Sequence, residues 1–334
     1  MLRRTLLASA LAMGTSLATV AAIGMAAAPA ASAATTYTLF TEPSAGFSTV
    51  YNLINGAASS IDMTMYQLED TTAEQDLATA AGRGVDVRVI LDEKEQSDNQ
   101  AAYTYLTDNG VHVVWSSSSY YYTHQKSLVI DNSTAVIMTA NLTSQYYSTS
   151  RDYGVVDTDA KDVAAVVAVF NADYAHTSIT PSDGDDLVWS PTDSQTHLLA
   201  LINGATSSLM IESEEMDDTT ITNALVSAAE RGVKVEVCGE NEDGEYDSEY
   251  ETLVDAGATV HYYSSSTGFY IHGKMILANY GASGAKIFIG SENFSNTSLN
   301  ENRELGLIIS TAAILSPVDS TFASDFAGGK NWTK

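Results

Sequence analysis

Hydrophobic and polar residues follow two different patterns along this chain, one typical of strands and one typical of helices. Residues 61–66 and 85–91 are short and rich in apolar side chains, as in strands covered on both faces of a sheet. Between them, residues 72–83 have helical spacing, and Gly84 follows where a glycine commonly ends a helix. Strands that alternate with helices predict an α/β fold with mixed, largely parallel sheets.

The same interpretation applies to most of the chain. The predicted helices are 46–58, 72–83, 99–109, 163–175, 194–205, 219–231 and 247–256. The predicted strands are 61–66, 85–91, 111–115, 127–130, 135–139, 153–157, 208–212, 233–238, 259–263, 275–278, 286–290 and 304–309. Residues 178–185, which are rich in Pro, Gly and Asp, are expected to link two halves.

The second half repeats the first, and the repeat is visible in the residues themselves. Residues 54–60 recur almost unchanged as residues 202–208, which lie 148 positions later. Later equivalent positions lie 152 apart, which a four-residue insertion near 281–284 explains. The duplication predicts two α/β/α halves, 34–182 and 183–334, packed about a pseudo-two-fold axis with the active site at their interface.

The N-terminal region has the three parts of a secretory signal. Arg3 and Arg4 form a charged start, residues 6–28 are apolar and rich in alanine, and Ala31-Ser32-Ala33 matches a small-residue cleavage site. We therefore expect residues 1–33 to be removed and the mature protein to be secreted. The alternative is an uncleaved membrane anchor, because the apolar stretch is long enough to span a bilayer.

The remaining sequence is strongly acidic. Removing Arg3 and Arg4 leaves 13 basic residues against 42 acidic ones, a net charge of −29. This balance repels polyanions at long range and makes nucleic acid an unfavourable partner. Cys238 is the sole cysteine, so we expect no intramolecular disulfide and a buried core role for this residue. With no zinc-type cluster and no glycine-rich phosphate loop in the sequence, we expect neither a metal nor a cofactor.

Two stretches carry the residues with the clearest chemistry. His124 and Lys126 lie two positions apart, and so do His272 and Lys274. In extended backbone such residues point to the same face, which suits the binding and attack of a phosphate. Downstream polar residues complete each copy: Asp131, Thr139 and Asn141 in the first, and Asn279, Ser291 and Asn293 in the second.

A carboxylate follows each of the two asparagines. Asp152 comes eleven positions after Asn141, and Glu304 comes eleven positions after Asn293. We expect each carboxylate to hold the histidine of its own copy in one tautomer.

These residues resemble the two HxKxxxxD motifs of the phospholipase D superfamily, and Gly290-Ser291-Glu292-Asn293 resembles its GSxN element. The resemblance extends over essentially all of residues 34–334. It implies metal-independent cleavage of a phosphodiester, or phosphatidyl transfer, through a phosphohistidine. It also implies that His124 is the nucleophile and His272 the acid, an assignment that the symmetry of the sequence alone leaves open.

The resemblance assigns roles to the other motif residues as well. Asp152 and Glu304 would orient the imidazole rings. The residues expected to stabilise the developing phosphate charge, or to lie close to it, are Lys126, Lys274, Asn141, Asn293, Thr139 and Ser291.

Two positions depart from the family pattern. Asn279 stands where the motif has Asp, and Met138 stands where Gly is expected in the first copy. The motif Asp, which is Asp131 in the first copy, is expected to point away from the phosphate and brace the fold. Asn279 would keep the hydrogen bond without the charge, and Met138 would narrow the pocket.

Aromatic residues surround both motifs and are compatible either with ordinary packing or with a rim that holds a choline head group or stacks bases. They are Trp115, Tyr120, Tyr121, Tyr122, Tyr146, Tyr147, Tyr262, Tyr263, Phe269 and Tyr270.

The sequence therefore predicts a secreted, monomeric phosphodiesterase of phospholipase D type that acts on glycerophospholipid head groups at a membrane or vesicle surface. The alternatives are an extracellular endonuclease of the same superfamily and a catalytically impaired lipid- or phosphate-binding protein or secreted effector.

Overall fold

The computed structural model describes residues 37–334, and the structural statements below concern this part of the chain. The predicted signal peptide and its membrane-anchor alternative lie outside the described residues. Within residues 37–334, no helix has the length and apolar character that crossing a bilayer requires.

The first half alternates strands with helices. Its strands are β1 (Thr38–Glu42), β2 (Ser60–Met65), β3 (Asp86–Leu91), β4 (His112–Trp115), β5 (Ser127–Ile130), β6 (Thr134–Met138) and β7 (Ser150–Asp157). Its helices are α1 (Ser48–Gly56), α2 (Thr71–Gly82), α3 (Gln96–Asp108) and α4 (Ala160–Tyr174).

The second half repeats that order and adds short elements. Its strands are β8 (Leu187–Ser190), β9 (Ser208–Ser213), β10 (Lys234–Glu240), β11 (Thr259–Tyr263), β12 (Tyr270–Ile271), β13 (Met275–Ala278), β14 (Lys286–Gly290), β15 (Glu304–Ile309) and β16 (Lys330–Asn331). Its helices are α5 (Ser194–Asn203), α6 (Thr219–Glu230), α7 (Asp247–Asp255), α8 (Asn296–Asn300) and α9 (Ala312–Gly328).

Each half forms one mixed sheet, and β12 of the second half joins the first sheet beside β7. The strand order is β1-β7-β6-β5-β2-β3-β4 in the first sheet and β16-β11-β10-β9-β13-β14-β15-β8 in the second. Strands linked by helices pair in parallel, as β2 with β3 and β9 with β10, whereas turn-linked strands such as β5 and β6 pair antiparallel. The predicted α/β class with two duplicated halves and mixed sheets is confirmed. Among the described strands, antiparallel pairs are the more numerous.

Equivalent capping residues start equivalent helices in the two halves. Asp70 accepts hydrogen bonds from the backbone N–H groups of Thr72 and Ala73 at the start of α2. Asp218, 148 positions later, accepts one from the N–H of Ile221 at the start of α6. An aspartate at this position satisfies backbone donors that have no partner within the helix.

The core lies on both faces of each sheet because successive strand residues point to opposite sides. In β6, Val136 and Met138 pack beneath helices α1, α2 and α3. Ala135 and Ile137 of the same strand pack in a second cluster that also contains residues of the other half, including Leu277 and Ile289. The two sheets therefore bury their inner faces against a shared core.

Several elements are not predicted from the sequence. They are β1, β8, β12, β16, α8 and α9. The two-residue strands β12 and β16 are too short to show a period, whereas α9 begins 152 residues after α4 and could have been found from the repeat.

Candidate active site

Both motif histidines line one cavity between the halves. The cavity has a volume of about 540 Å³, and His124 and His272 each contribute to its wall. The other lining residues are Tyr66, Gln67, Asn141, Thr143, Tyr146, Tyr147, Thr149, Ser150, Asp152, Glu214, Glu215, Tyr270 and Asn293. The structure thus brings both histidines, both asparagines and one motif carboxylate to a common space.

Each histidine is bound by the carboxylate of the other half. His124 Nδ1 lies 2.8 Å from Glu304 Oε2, and His272 Nδ1 lies 2.7 Å from Asp152 Oδ1. The expectation that each carboxylate serves its own copy is therefore wrong. The exchange is reciprocal, as the contacts across a two-fold axis are.

Backbone pairing between the halves explains this exchange. Ile271, directly before His272, pairs in parallel with Arg151, directly before Asp152. Thr123, directly before His124, forms the equivalent parallel bridge to Arg303, directly before Glu304. Parallel pairing in register places the following residues side by side, so each histidine meets the opposite carboxylate.

The two arginines of these pairings reinforce the same contact between halves. The guanidinium of Arg151 is ion-paired with Asp325 of α9, with Nε 2.5 Å from Oδ2. That of Arg303 is paired with Asp173 of α4, with Nε 3.0 Å from Oδ2. All four residues are buried. They form a second reciprocal set of contacts that sequence reasoning missed, although an arginine precedes the carboxylate in both copies.

Burial and charge set the ionisation of the first pair. Burial lowers the pKa of His124 to about 4, although Glu304 acts in the opposite direction. Burial by itself would raise the pKa of Glu304, but His124 and Lys126 hold it below its usual range. A neutral His124 that donates its Nδ1 proton to a Glu304 carboxylate has its Nε2 lone pair available for attack.

The carboxylate of the second pair is also held in its ionised form. Burial would raise the pKa of Asp152, but His272 and Lys274 lower it below its usual range. Ionised Asp152 favours a proton on His272 Nδ1, which fixes the orientation of that ring.

The two motif lysines are almost completely buried behind the histidines. Nζ of Lys126 donates to the carbonyl oxygen of His124 over 2.6 Å, and Nζ of Lys274 donates to that of His272 over the same distance. Burial lowers the pKa of Lys126 to about 7, with nearby Lys274 acting in the same direction and Glu304 opposing it. Each ammonium lies next to its histidine but forms no part of the cavity lining.

Thr139 and Ser291 lie behind the cavity wall and not in it. The Thr139 hydroxyl donates to Asp152 Oδ1 over 2.6 Å, and Ser291 Oγ accepts from the backbone N–H of Leu305 over 3.1 Å. Neither side chain lines the cavity, and their closeness to a phosphate stays a prediction. Thr139 orients the carboxylate that binds His272, and Ser291 holds the strand just after Glu304.

Asp131 and Asn279 brace the start of equivalent strands. Asp131 Oδ1 accepts from the N–H groups of Ser59 and Ser60, and these bonds lower the pKa of Asp131 to about 2 even though burial acts to raise it. Asn279 Oδ1 accepts from the N–H groups of Thr206 and Ser207 over 2.8 and 3.0 Å. Both residues have positive φ, 52° and 56°, which Asp and Asn tolerate better than most residues.

Comparison with known proteins agrees with this geometry. A profile of the family described as cardiolipin synthase, PLD-like domain, matches residues 50–174 and 198–326, one range in each half. Together the two ranges cover more than half of the chain. The chain belongs to this phospholipase D-like family.

Individual relatives of this phospholipase D-like chain match it less completely. A protein of Bacillus subtilis (strain 168) described as the probable cardiolipin synthase YwiE is 30% identical over 129 residues. That match covers 37% of this chain and spans 25% of the relative's length.

Two solved structures share the fold. Phosphatidylserine synthase of Haemophilus influenzae Rd KW20 superposes with a TM-score of 0.67 at 13% identity, over 89% of this chain and 87% of that protein. Polyphosphate kinase of Porphyromonas gingivalis superposes with a TM-score of 0.68 at 15% identity, over 87% of this chain and 50% of that protein.

Glu214 is a residue of the phospholipase D-like site that the motifs do not contain. It follows β9, and its Oε2 lies 2.6 Å from Lys274 Nζ. The equivalent position of the first half, 148 residues earlier, is Tyr66, whose ring lies 4.6 Å from that of His124. The repeat could have pointed to both positions, but only the fold shows that they face the cavity.

The aromatic residues around the motifs divide between the two interpretations. Tyr146, Tyr147 and Tyr270 line the cavity, whereas Trp115 stacks on Tyr103 in the core of the first half. Met138 is fully buried in that core and does not line the cavity, so the expectation that it narrows the pocket is wrong.

One cluster of residues within 37–334 has a spacing compatible with a metal ion. It consists of Asp183, Asp193 and His197, and none of the three lines the histidine cavity.

Proposed function

We propose that this chain is a phosphodiesterase of phospholipase D type that acts on glycerophospholipids through a phosphohistidine. One observation carries the proposal: two histidines face a common cavity, and each has its Nδ1 bound by a buried carboxylate. This leaves both Nε2 atoms to serve as nucleophile and as acid.

In the first step, the Nε2 lone pair of His124 attacks phosphorus, and a P–N bond forms. The bond between phosphorus and the leaving oxygen breaks, and its electron pair stays on that oxygen. His272 donates its Nε2 proton to the leaving oxygen, which departs as an alcohol. Glu304 stabilises the positive charge that develops on the His124 ring.

In the second step, neutral His272 accepts a proton from water or from an acceptor alcohol. The oxygen attacks phosphorus, the P–N bond breaks, and its electron pair returns to Nε2 of His124. The groups proposed to stabilise charge on the phosphate oxygens are Asn141 and Asn293, which line the cavity, and Lys126 and Lys274, which lie behind the histidines.

The surroundings of the two rings support the assignment of roles. Burial favours a neutral His124, the form that a nucleophile needs. His272 Nε2 lies 3.5 Å from the Glu214 carboxylate, an anionic neighbour that His124 lacks because Tyr66 stands at the equivalent position. His124 is therefore the proposed nucleophile and His272 the proposed acid.

The choice of phospholipid over nucleic acid has two supports. The net charge of −29 outside the first 33 residues opposes binding to a polyanion, and the curated relative with 30% identity is named as a probable cardiolipin synthase. Release of the mature chain from the cell, a monomeric state, and either water or an alcohol as the acceptor are parts of this proposal as well.

The test is head-group release from phosphatidylcholine and phosphatidylglycerol vesicles by residues 34–334, in EDTA, with and without glycerol as acceptor. His124→Ala is expected to abolish release, whereas His112→Ala, which removes an exposed histidine of β4, is expected to leave it unchanged. Release that survives His124→Ala would overturn the mechanism. Cleavage of DNA in place of both lipids would favour the endonuclease, and vesicle binding without turnover would favour the impaired binding protein.

A further inference from the structure

The Glu214 carboxylate contacts the polar groups of the C-terminal half that are proposed to bind a phosphate. Its Oε2 lies 2.6 Å from Lys274 Nζ, 3.5 Å from His272 Nε2 and 3.3 Å from Asn293 Nδ2. Its Oε1 accepts a 2.7 Å hydrogen bond from the Tyr270 hydroxyl. A single carboxylate thus contacts the histidine, the lysine and the asparagine of one motif.

The N-terminal half has no carboxylate at the matching position. Tyr66 stands there, and Lys126 Nζ lies 4.8 Å from the centre of its ring. The two halves otherwise contribute an equivalent histidine and asparagine to the cavity wall, with a lysine behind each histidine. The difference at positions 66 and 214 therefore makes the two sides of the site unequal in charge.

The position of Glu214 follows from the burial of Lys274. The Lys274 side chain has no exposed surface, and an ammonium buried without a counter-charge is costly. Glu214 supplies that charge from the cavity side, where its own side chain keeps 19% of its surface exposed. Lys274 and His272 hold the pKa of Glu214 well below its usual range, although burial acts to raise it.

We propose that the Glu214 carboxylate competes with the substrate inside the cavity. It occupies the phosphate position of the C-terminal half, and a phosphodiester that binds there displaces it. A carboxylate and a phosphodiester each present anionic oxygens to the same donors, and like charges repel if both are present. Displacement lets Lys274 exchange one anionic partner for another. The proposal rests on the function proposed above, because it takes this cavity as the phosphate site.

The test measures oxyanion binding directly. Tungstate, a tetrahedral oxyanion, is titrated calorimetrically into residues 34–334 carrying Glu214→Gln or Glu215→Gln. Glu215 lines the same cavity, and its carboxylate has no ion pair with Lys274. Burial raises the pKa of Glu215 to about 7, so the titrations are made at about pH 8, where this carboxylate is ionised and Glu215→Gln controls for the loss of one negative charge. We expect tungstate to bind Glu214→Gln on the order of tenfold more tightly than the unchanged protein, and Glu215→Gln less than about threefold more tightly.

Unchanged or weaker binding to Glu214→Gln, or an equal gain in Glu215→Gln, would overturn the proposal. If Glu214→Gln shows no cooperative thermal transition, Tyr270→Phe replaces it. That variant keeps every charge and removes the hydrogen bond to Oε1, and tighter tungstate binding is again expected. Failure of the proposed function would be seen in a different experiment: no phosphodiester would be cleaved, whatever the tungstate affinities are. Unaltered tungstate binding in an active enzyme would reject the competitor alone.

Discussion

The exchange of carboxylates between the halves makes a sharp prediction about catalysis. Glu304 lies in the C-terminal half but is bound to His124, so Glu304→Gln is expected to impair the step that His124 performs. Asp152→Asn is expected to impair the step that His272 performs, because Asp152 is bound to His272. If each carboxylate acted on the histidine of its own half, Glu304→Gln would impair the step of His272 and Asp152→Asn the step of His124.

The magnitude follows from the geometry. As His124 attacks phosphorus, its ring gains positive charge next to a carboxylate 2.8 Å from Nδ1, and both groups are largely buried. Two unit charges about 4 Å apart at an effective dielectric constant of about 20 interact by about 4 kcal/mol. Losing that interaction in the transition state alone would slow the step by a factor of about a thousand.

Two lipids with different leaving groups separate the steps. In phosphatidylcholine the leaving choline oxygen needs a proton, whereas 4-nitrophenolate leaves phosphatidyl-4-nitrophenol without one. Glu304→Gln is expected to slow the first turnover of both lipids about a thousandfold. Asp152→Asn is expected to slow phosphatidylcholine to a similar extent and the nitrophenyl ester by about tenfold or less.

First-turnover release is followed by stopped flow for the nitrophenyl ester and by quenched flow for choline. His124→Ala and His272→Ala serve as references, so that the result does not depend on which histidine is the nucleophile. The cross-half reasoning is refuted if Glu304→Gln follows the His272→Ala profile and Asp152→Asn follows that of His124→Ala.

Four further predictions concern pH, metals and stability. Because His124 must be neutral and Lys126 charged, kcat/KM is expected to rise with pH through about 4 and to fall above about 7, in a profile measured from about pH 3 to about pH 9. Since nucleophile, acid and charge-stabilising groups are all side chains, dialysis against EDTA is expected to leave turnover unchanged. Asn279→Asp is expected to raise the Tm at neutral pH, because a carboxylate accepts from backbone N–H groups more strongly than an amide. In the folded protein, the pKa of the carboxyl introduced at position 279 should be depressed like that of Asp131. The gain in stability is therefore present above the unfolded-state pKa of about 4 and is lost as the pH falls towards 2. Asp325→Ala, which leaves the buried Arg151 guanidinium without its partner, is expected to cost about 3–5 kcal/mol in urea unfolding.

Each of these predictions has an outcome that contradicts it. Lys161→Ala is the control for Asp325→Ala, because its ion pair with Asp185 is exposed and should contribute little to the free energy of unfolding. Equal losses in the two variants would show that burial does not decide the cost. Undiminished turnover at about pH 9 would show that a charged Lys126 is not required. A Tm difference between Asn279→Asp and the unchanged protein that does not vary with pH would reject the bracing argument. Activity lost in EDTA and restored by a divalent cation would reject the two-histidine chemistry.

The sequence by itself determined most of the helices and strands, the duplication and the two motif histidines that line the cavity. The helical and strand periods are patterns among residues close together in the chain, so they can be recognised without knowledge of the fold. The histidine–lysine spacing and the bracing positions Asp131 and Asn279 are equally local. Their repetition at offsets of 148 and 152 made them recognisable without a structure.

Only the tertiary structure decided which groups meet across the halves. Pairing of Thr123 with Arg303, and of Ile271 with Arg151, exchanges the carboxylates, and no spacing within one half contains that information. The same holds for Glu214, whose contact with Lys274 joins residues far apart in sequence through the folding of one half. Long-range contacts of this kind arise from the packing of buried faces, in which each partner is selected by the whole arrangement and not by its neighbours in the chain.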